Sequence, residues 1–578
     1  MRVEKLLTDH IDIWSSALQT RATAGRGSSG KIDLYGIKKL RELILELAVR
    51  GKLVPQDPND EPASELLKRI AAEKAELVKQ GKIKKQKPLP EIREEEKPFE
   101  LPSGWEWVRL GDAVEVINGR AYKKHEMLQS GTPLLRVGNL FTSNEWYYSD
   151  LVLDEDKYID KGDLIYAWSA SFGPFIWQGD KVIYHYHIWK LKFFSESSLN
   201  KFFLHDYLAS ITERIKSQGN GIAMLHMTKE RMEKQVIACP PIEEQIKIVS
   251  KIKELMSLCD QLEQQSLTSL EAHQQLVETL LTTLTDSQNA EEFTNNWARI
   301  SQHFDTLFTT EASIDALKQT ILQLAVMGKL VPQDPDDEPA SELLKRIEQE
   351  KAQLVKEGKI KKQKPLPPVN DEEKPFKLPL GWEWCFIDDL ALVTGGIQKQ
   401  PKRKPVNNHF PYLRVANVQR GFISIDELER FELDEHELAS WSLKKGDLLI
   451  VEGNGSADEI GRCAIWEHLI EDCVYQNHLI RVRTYADGCQ HFMSYYLNST
   501  SGIKEMQRLA VTTSGLYNLS VGKIRSIIVP VPPLNEQRKI INQLREFINL
   551  CDTLKSRLQS AQQTQLHLAD AITDAALN

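Results

Sequence analysis

The sequence predicts an α+β chain built as an internal repeat, in which two mixed α/β domains are separated by long helices that pair as a coiled coil. Three observations carry this reading. One block of the chain is written twice, helical periodicity gives way to β-rich stretches inside each copy, and a 4-3 apolar stripe follows each copy.

The repeat is plainest in its flanks. Leu47–Pro90 reads LAVRGKLVPQDPNDEPASELLKRIAAEKAELVKQGKIKKQKPLP, and Leu324–Pro367 reads LAVMGKLVPQDPDDEPASELLKRIEQEKAQLVKEGKIKKQKPLP. The match continues, more weakly, through EKPFELPSGWEW (Glu96–Trp107) and EKPFKLPLGWEW (Glu373–Trp384). LLRVGNL at Leu134 answers YLRVANV at Tyr412, and KGDLIYAW at Lys161 answers KGDLLIVE at Lys445. PPIEEQIKIV at Pro240 answers PPLNEQRKII at Pro532. The stretches Val108–Ala238 and Cys385–Val529 share only scattered framework residues. The flanks therefore do one job twice, and the inner stretches do one kind of job on two different targets.

Each copy opens on a helix. Ile37, Leu40, Ile44 and Leu47 recur at helical spacing, as do Ile314, Leu317, Ile321 and Leu324, with Gly51 and Gly328 placed as C-terminal caps. A second helix starts near Pro62 and Pro339 and stops near Gly81 and Gly358, followed by the basic, proline-ended linker KIKKQKPLP. The inner stretches are rich in Val, Ile, Tyr and Trp between glycine turns, which predicts a strongly β core. Asn200–Lys216 and Gln490–Leu509 read as helices. After each inner domain comes a long helix of roughly 40 residues, or about 60 Å. Its seam is Ile248, Ile252, Leu255, Cys259, Leu262, Leu276 and Leu280 in the first copy. In the second it is Ile540, Leu544, Phe547, Cys551, Leu554, Leu558, Leu568 and Ile572. The boundaries read as 1–100, 101–241, 242–371, 372–533 and 534–578.

Composition excludes several classes. No apolar run reaches the roughly 20 residues of a membrane span. Glu4, Asp9 and Asp12 interrupt any export signal. Seven scattered cysteines, an odd number without a C-x-x-C pair, suit a reducing cytosol rather than a disulfide scaffold or zinc ribbon. The net charge of −9 has the wrong sign for a nucleic-acid binder, so contact with DNA must come from local basic patches or from partners. Catalytic patterns fail one by one. Gly25–Lys31 has P-loop spacing, but Ile32 stands where Ser or Thr would hold magnesium, and a flexible linker is the better reading. His185 and His187 would share one strand face, with no third ligand in place. Asp388–Asp389 reads as a turn or helix start. No methyltransferase, helicase or triad signature stands out.

Polar, basic loops follow each WEW strand. The contact residues read from them are Asn118, Arg120, Tyr122, Lys123 and Lys124 in the first copy, and Gln398, Lys399, Lys402, Arg403 and Lys404 in the second. Lys and Arg neutralise phosphates, and Arg, Gln and Asn read base edges. Ser169 and Ser171, with Asn454 and Ser456, form a second pair of loops. Asn220, with Thr513, Ser514 and Tyr517, forms a third. Arg136 with Asn139, and Arg414 with Asn417, read equally as DNA contacts or as framework. Trp105, Trp107, Trp382 and Trp384 read as core.

These motifs together resemble the specificity subunit of Type I restriction–modification systems, in the subgroup with an extended N-terminal region. The resemblance covers nearly the whole chain and rests on LP-x-GWEW, KGDL, PPxxEQ and the GKLVPQDP–EPASELL block. It implies that residues 101–241 and 372–533 are target recognition domains, each reading half of a bipartite DNA sequence. It implies an antiparallel coiled coil that spaces them and docks two methyltransferase subunits about a pseudo-twofold axis, with restriction subunits joining. The chain itself would be non-catalytic and without cofactor. S-adenosylmethionine, ATP and Mg2+ would belong to the partner subunits, methylation would fall on adenine, and no membrane would be involved. A DNA-binding coiled-coil scaffold, a self-contained methyltransferase and an NTPase are the alternatives.

Overall fold

A computed structural model describes residues 5, 8–21, 31–169, 171–195, 197–217, 227–456, 459–486, 488–513 and 516–577. The chain forms two compact units. The first gathers the described residues of Met1–Gln19, Asp33–Leu267 and Gln562–Asn578, and the second those of Thr20–Ile32 and Thr268–Ala561.

Each copy opens as its periodicity demands, on α1 (Tyr35–Val49) or α4 (Glu311–Val326), with the Ile/Leu stripe buried. The helices stop at glycine for two physical reasons. Gly51 and Gly328 take φ of +67° and +70°, and a Cβ there would lie 2.4 and 2.5 Å from Cγ of Pro102 and Pro379. The next helices, α2 (Ala63–Lys79) and α5 (Ala340–Lys356), end just before the left-handed Gly81 and Gly358. The two long helices, named α3 (Ile242–Asp286) and α6 (Leu534–Leu577), have 45 and 44 residues. At 1.5 Å per residue each is about 67 Å long. No helix of the described residues is long and apolar enough to cross a membrane.

Three of the repeated motifs meet at one buried junction in each copy. The PPxxEQ motif supplies Glu244, whose two carboxylate oxygens accept from Trp105 Nε1 (2.9 Å) and Gln56 Nε2 (2.9 Å). Glu536 accepts from Trp382 Nε1 (2.9 Å) and Gln333 Nε2 (3.1 Å) in the same way. Gln56 and Gln333 also donate to the carbonyls of Gly51 and Gly328, both at 2.6 Å. The adjacent Gln245 and Gln537 each donate to a proline carbonyl, Pro240 O and Pro532 O, at 2.9 Å. Thus GKLVPQ, GWEW and EQ repeat closely because they are three parts of one hydrogen-bonded clamp.

The first β-rich domain carries β1 (Glu106–Arg109), β2 (Val114–Asn118), β3 (Thr132–Leu135), β4 (Tyr147–Ser149), β5 (Tyr158–Ile159), β6 (Leu164–Ser169), β7 (Ser171–Ile176), β8 (Val182–Tyr184), β9 (Ile188–Phe193) and β10 (Val236–Cys239). One sheet runs β2-β9-β6-β7, wholly antiparallel, and a second runs β4-β3-β8-β5 with β3 and β8 parallel. β1 and β10 close the domain on its flanks.

The second domain carries β11 (Glu383–Phe386), β12 (Ala391–Gly395), β13 (His409–Leu413), β14 (Glu429–Glu432), β15 (Leu448–Val451), β16 (Gly453–Asn454), β17 (Cys463–Ile465), β18 (Val474–Tyr475), β19 (Leu479–Thr484), β20 (Val511–Thr513), β21 (Leu516–Asn518) and β22 (Ile528–Val531). Its sheets β12-β19-β15-β17 and β14-β13-β18 repeat the first domain's order, and β11 pairs β22. A further sheet, β16-β21-β20, has no counterpart among the described residues of the first. The Lys-Gly-Asp turns are framework in both. Asp163 accepts from Asp160 N and pairs with Lys190 at 2.6 Å, and Asp447 accepts from Lys444 N and pairs with Arg483 at 2.6 Å.

Each unit holds the N-terminal half of one long helix and the C-terminal half of the other, as an antiparallel pair does. In the second unit Val277, Leu281 and Leu284 of α3 belong to one core with Ile540, Leu544 and Cys551 of α6. Toward the C-terminal ends the seam departs from strict 4-3 spacing. Leu276 and Leu568 are 51 % and 41 % exposed, while Val277 and Ala569 are buried. Beyond Leu262 the buried and half-buried positions of α3 include 266, 270, 273, 277, 280, 281, 283 and 284, so burial spreads beyond a strict 4-3 stripe. A straight helix, with 3.6 residues per turn, drifts away from a 3.5 period in this way.

Candidate nucleic-acid interface

The basic loop of the first domain begins where β2 meets the β8–β9 turn. Gly119 is forced by close approach, because a Cβ would lie 2.4 Å from the His185 carbonyl oxygen. Beyond it, Arg120 forms a two-pronged pair with Glu126 (3.1 and 2.6 Å) and stacks over Tyr122 at 5.0 Å. Tyr122 is buried, and Asn118 Oδ1 accepts from Trp189 Nε1 at 2.7 Å. These three side chains therefore shape the loop. Lys123 and Lys124 are exposed.

In the second domain Gly396 is forced likewise, with a Cβ at 2.1 Å from the Gln476 carbonyl oxygen. Arg403 is turned inward onto Glu437 (2.6 and 2.7 Å), and Lys399 pairs with Glu429 at 2.9 Å. Gln398, Lys402 and Lys404 are exposed. The asparagines behind the loops are framework. Asn139 Oδ1 accepts from Arg136 N (3.0 Å) and Asn417 Oδ1 from Arg414 N (2.8 Å), while their amides cap nearby carbonyls. Arg136 is exposed beside Tyr147, and Arg414 pairs with Glu429.

Ser169 and Ser171 face each other across the β6–β7 hairpin. The second domain brings two of its loops together, since Asn454 on β16 pairs with Tyr517 on β21, and Thr513 on β20 pairs with Leu516. Ser456 is half-buried at the next turn. Asn220 and Ser514 lie outside the described residues, as do Gly25–Gly30.

His185 and His187 correct the reading of one strand face. They flank Tyr186 in the turn between β8 and β9, because Ile188 N must reach back to His185 O (2.9 Å) to close it. Burial, with His187 and Arg136 nearby, pushes His185 down to about 4. Among the described residues no group of three or more His, Cys, Asp or Glu is placed to hold a metal. Asp388 opens a helical turn between Lys351 (3.2 Å) and Arg525 (2.6 Å), which hold its carboxyl below the usual range despite burial.

That β8–β9 turn shows what the two domains share and where they part. Arg120 N donates to Tyr184 O (3.1 Å) and Ile397 N to Tyr475 O (2.9 Å). Trp168 N donates to His187 O (3.1 Å) and Glu452 N to His478 O (3.0 Å). The backbones are thus equivalent, while Trp168, Tyr186 and Trp189 are replaced by Glu452, Asn477 and Ile480. In the first domain Trp168 stacks on Trp189 (5.2 Å) and meets Tyr186 edge-on (6.1 Å). With Asn118, Gly119 and Lys229 they line a cleft of about 420 Å³. In the second, His478 Nδ1 lies 3.4 Å from Glu452. Aromatic faces suit bases or a thymine methyl, whereas a carboxylate and an amide suit exocyclic amines. These positions were missed in the linear reading. The aligned KGDLIYAW and KGDLLIVE hold the signal, since Trp and Glu part company where the common strand ends.

The seam residues occupy their own units first. Leu255, Cys259 and Leu262 line an apolar cleft with Trp14 and Leu40, beside Ile252, and Arg41 binds Asp260 (2.6 Å) and Glu263 (2.8 Å). Leu544 and Cys551, with Phe547 and Leu554 packed alongside, share a core with α4, where Lys318 binds Asp552 at 2.8 Å.

Two unlike heads on one repeated frame define a two-headed binding protein. The family model described as the Type I restriction modification DNA specificity domain matches residues 102–272 and 379–563. The chain is 50 % identical over its full length, and the full length of the relative, to the Type I restriction enzyme EcoEI specificity subunit of Escherichia coli. It is 49 % identical, over the full length of both chains, to the EcoAI specificity subunit. It is 22 % identical to the EcoKI specificity subunit, over 82 % of this chain and 88 % of that one. The chain belongs to the family of Type I restriction enzyme specificity subunits. As such it is non-catalytic, has no catalytic cofactor of its own, and gives a restriction–modification complex its DNA specificity, with DNA and the modification and restriction subunits as partners.

Proposed function

We propose that residues 101–241 and 372–533 each read one half of a bipartite DNA target, that α3 and α6 set the spacing between the halves, and that two methyltransferase subunits dock on the near-identical flanks. Those subunits bind S-adenosylmethionine and methylate a flipped-out adenine at N6. The restriction subunits use ATP and Mg2+, and the complex works in the cytoplasm. One observation carries the reading: equivalent backbones at the β8–β9 and β18–β19 turns present Trp168 and Tyr186 in one domain, but Glu452 and Asn477 in the other. Readers of a single sequence would have no reason to differ there. Lys123, Lys124, Gln398, Lys402 and Lys404 are the exposed loop residues that reach DNA, and Arg120, Tyr122 and Arg403 hold the loops in shape.

The test is an exchange of residues 101–241 for the recognition domain of another specificity subunit, followed by mapping methylated adenines. One half of the target should change and the other should persist. A change in both halves, or in neither, would sink the two-reader reading.

A further inference from the structure

The segment KIKKQKPLP, Lys82–Pro90 and Lys359–Pro367, is identical in the two copies and closes the flanks assigned above to methyltransferase docking, with no role yet for its lysines. Each copy carries four lysines and no carboxylate, in a chain whose net charge is −9. Both lie outside helix and strand and show the same facing pattern. Ile83, Gln86 and Leu89, like Ile360, Gln363 and Leu366, are half-buried, while every lysine is exposed. The first copy is fastened down. Arg109 donates to the Pro90 and Glu91 carbonyls (3.1 and 3.0 Å), and Leu89 packs over Gly111. Most lysines on the preceding helices have carboxylate partners, as in Lys68–Glu65 (2.7 Å) and Lys345–Glu342 (2.8 Å). Among the described residues, Lys84, Lys85, Lys87, Lys361, Lys362 and Lys364 have none.

We propose that these two triplets of lysines are sequence-independent sites for the phosphate backbone of double-stranded DNA. The inference rests on the reading above that the chain binds DNA, and it adds where the acidic chain gathers positive charge. Two features favour phosphate over an acidic protein surface. Protein interfaces are depleted in lysine, which is strongly hydrated and loses much side-chain freedom when packed. A DNA strand offers a phosphate every 3.4 Å of axis, and residues 84 to 87 span about 10 Å of extended chain. Identity between the copies fits phosphate and methyltransferase subunit equally, since each is the same at both halves of the target, so the lysine content and the spacing decide for phosphate.

The experiment uses the chain assembled with its modification subunits. Affinity is measured on the target duplex and on a scrambled duplex of equal length, at about 50 to 200 mM salt. The variants are Lys84→Ala/Lys85→Ala/Lys87→Ala, the matching set at 361, 362 and 364, and Arg versions of both. Each Ala set should weaken both duplexes by the same factor and lower the slope of log affinity against log salt by up to about 2.7. The loss of affinity across that salt range should then shrink by up to about fortyfold. The methylated bases should not change, and the Arg sets should restore the slope. An unchanged slope overturns the proposal, as does a loss confined to the target duplex or a failure to assemble with the modification subunits. If the wild-type complex does not prefer its target to the scramble, the DNA reading itself has failed and takes the proposal with it.

Discussion

The indole N–H of Trp105 and the amide of Gln56 point at the two oxygens of one buried carboxylate, Glu244, and Trp382, Gln333 and Glu536 repeat the arrangement. Burial pushes both carboxyls above the usual range in spite of those donors, so each donor is needed. Trp105→Phe removes one hydrogen bond to a buried acceptor and leaves a small cavity, a cost of about 2–4 kcal/mol. Thermal melting should show comparable losses for Trp105→Phe and Trp382→Phe. A loss at one position only would mean the clamp is not a shared element. Glu96 gives the acid side. Arg109, only 4 % exposed, holds it through two bonds of 2.9 Å, and it titrates at about 2. A carboxyl depressed in the folded state stabilises fully above its ordinary value near 4.3, and that contribution fades as pH falls toward about 2. The stability gap between wild type and Glu96→Gln should therefore be widest above pH 5 and close between about 4.3 and 2. A gap that stays constant with pH would show that Glu96 stabilises through shape alone. At this scale the loops were only partly legible. Composition marked Arg120, Tyr122 and Arg403 as contacts, but the partners that turn them inward, Glu126 and Glu437, become neighbours only through folding.

At the scale of elements, helix ends could be read from local chemistry. Gly51, Gly328, Gly81 and Gly358 sit at left-handed stops, where glycine alone is unstrained. The two inner sheets followed from β-branched and aromatic runs. The sheet β16-β21-β20 could not, because β16 is two residues long and finds its partner more than 60 positions away. Nor could the seam register near 276 and 568, since a strict 4-3 pattern presumes supercoiling that these helices do not sustain. That register bears on the spacing proposal. Four residues add about 6 Å and rotate a helix by about 40°, which nearly preserves the buried stripe. Four residues inserted in the central part of α3 should lengthen the mapped spacer by about two base pairs, with both half-sites unchanged. A spacer of the original length would rule out these helices as the ruler.

At the scale of the whole molecule, the chain's last helix does not finish the unit that precedes it. Residues 562–577 belong with the first copy. Asp570 accepts from Tyr35 Oη at 2.7 Å, and the Leu577 carbonyl accepts from Lys52 Nζ at 2.6 Å. Lys52 has its repeat in Lys329, which donates to Thr285 O and Ser287 O (2.8 and 2.9 Å) at the end of α3. Each GKLVPQ block thus receives the end of the long helix that starts from the other copy. The antiparallel pairing implied by the resemblance already called for this crossing, but the contacts that anchor it, at Tyr35, Lys52 and Lys329, could not be read from the sequence. The crossing has a thermodynamic consequence. Ending the chain at Ala561 should destabilise the first unit while sparing the second. The loss of the Asp570 and Leu577 bonds, at about 1 kcal/mol each, should lower the melting of a domain this size by about 4–8 °C. Hydrogen exchange should then rise at Tyr35–Val49 while the strands of residues 383–531 keep their protection. Exchange rising first in 383–531 would place the C-terminal half of α6 with the second copy and refute the crossed arrangement.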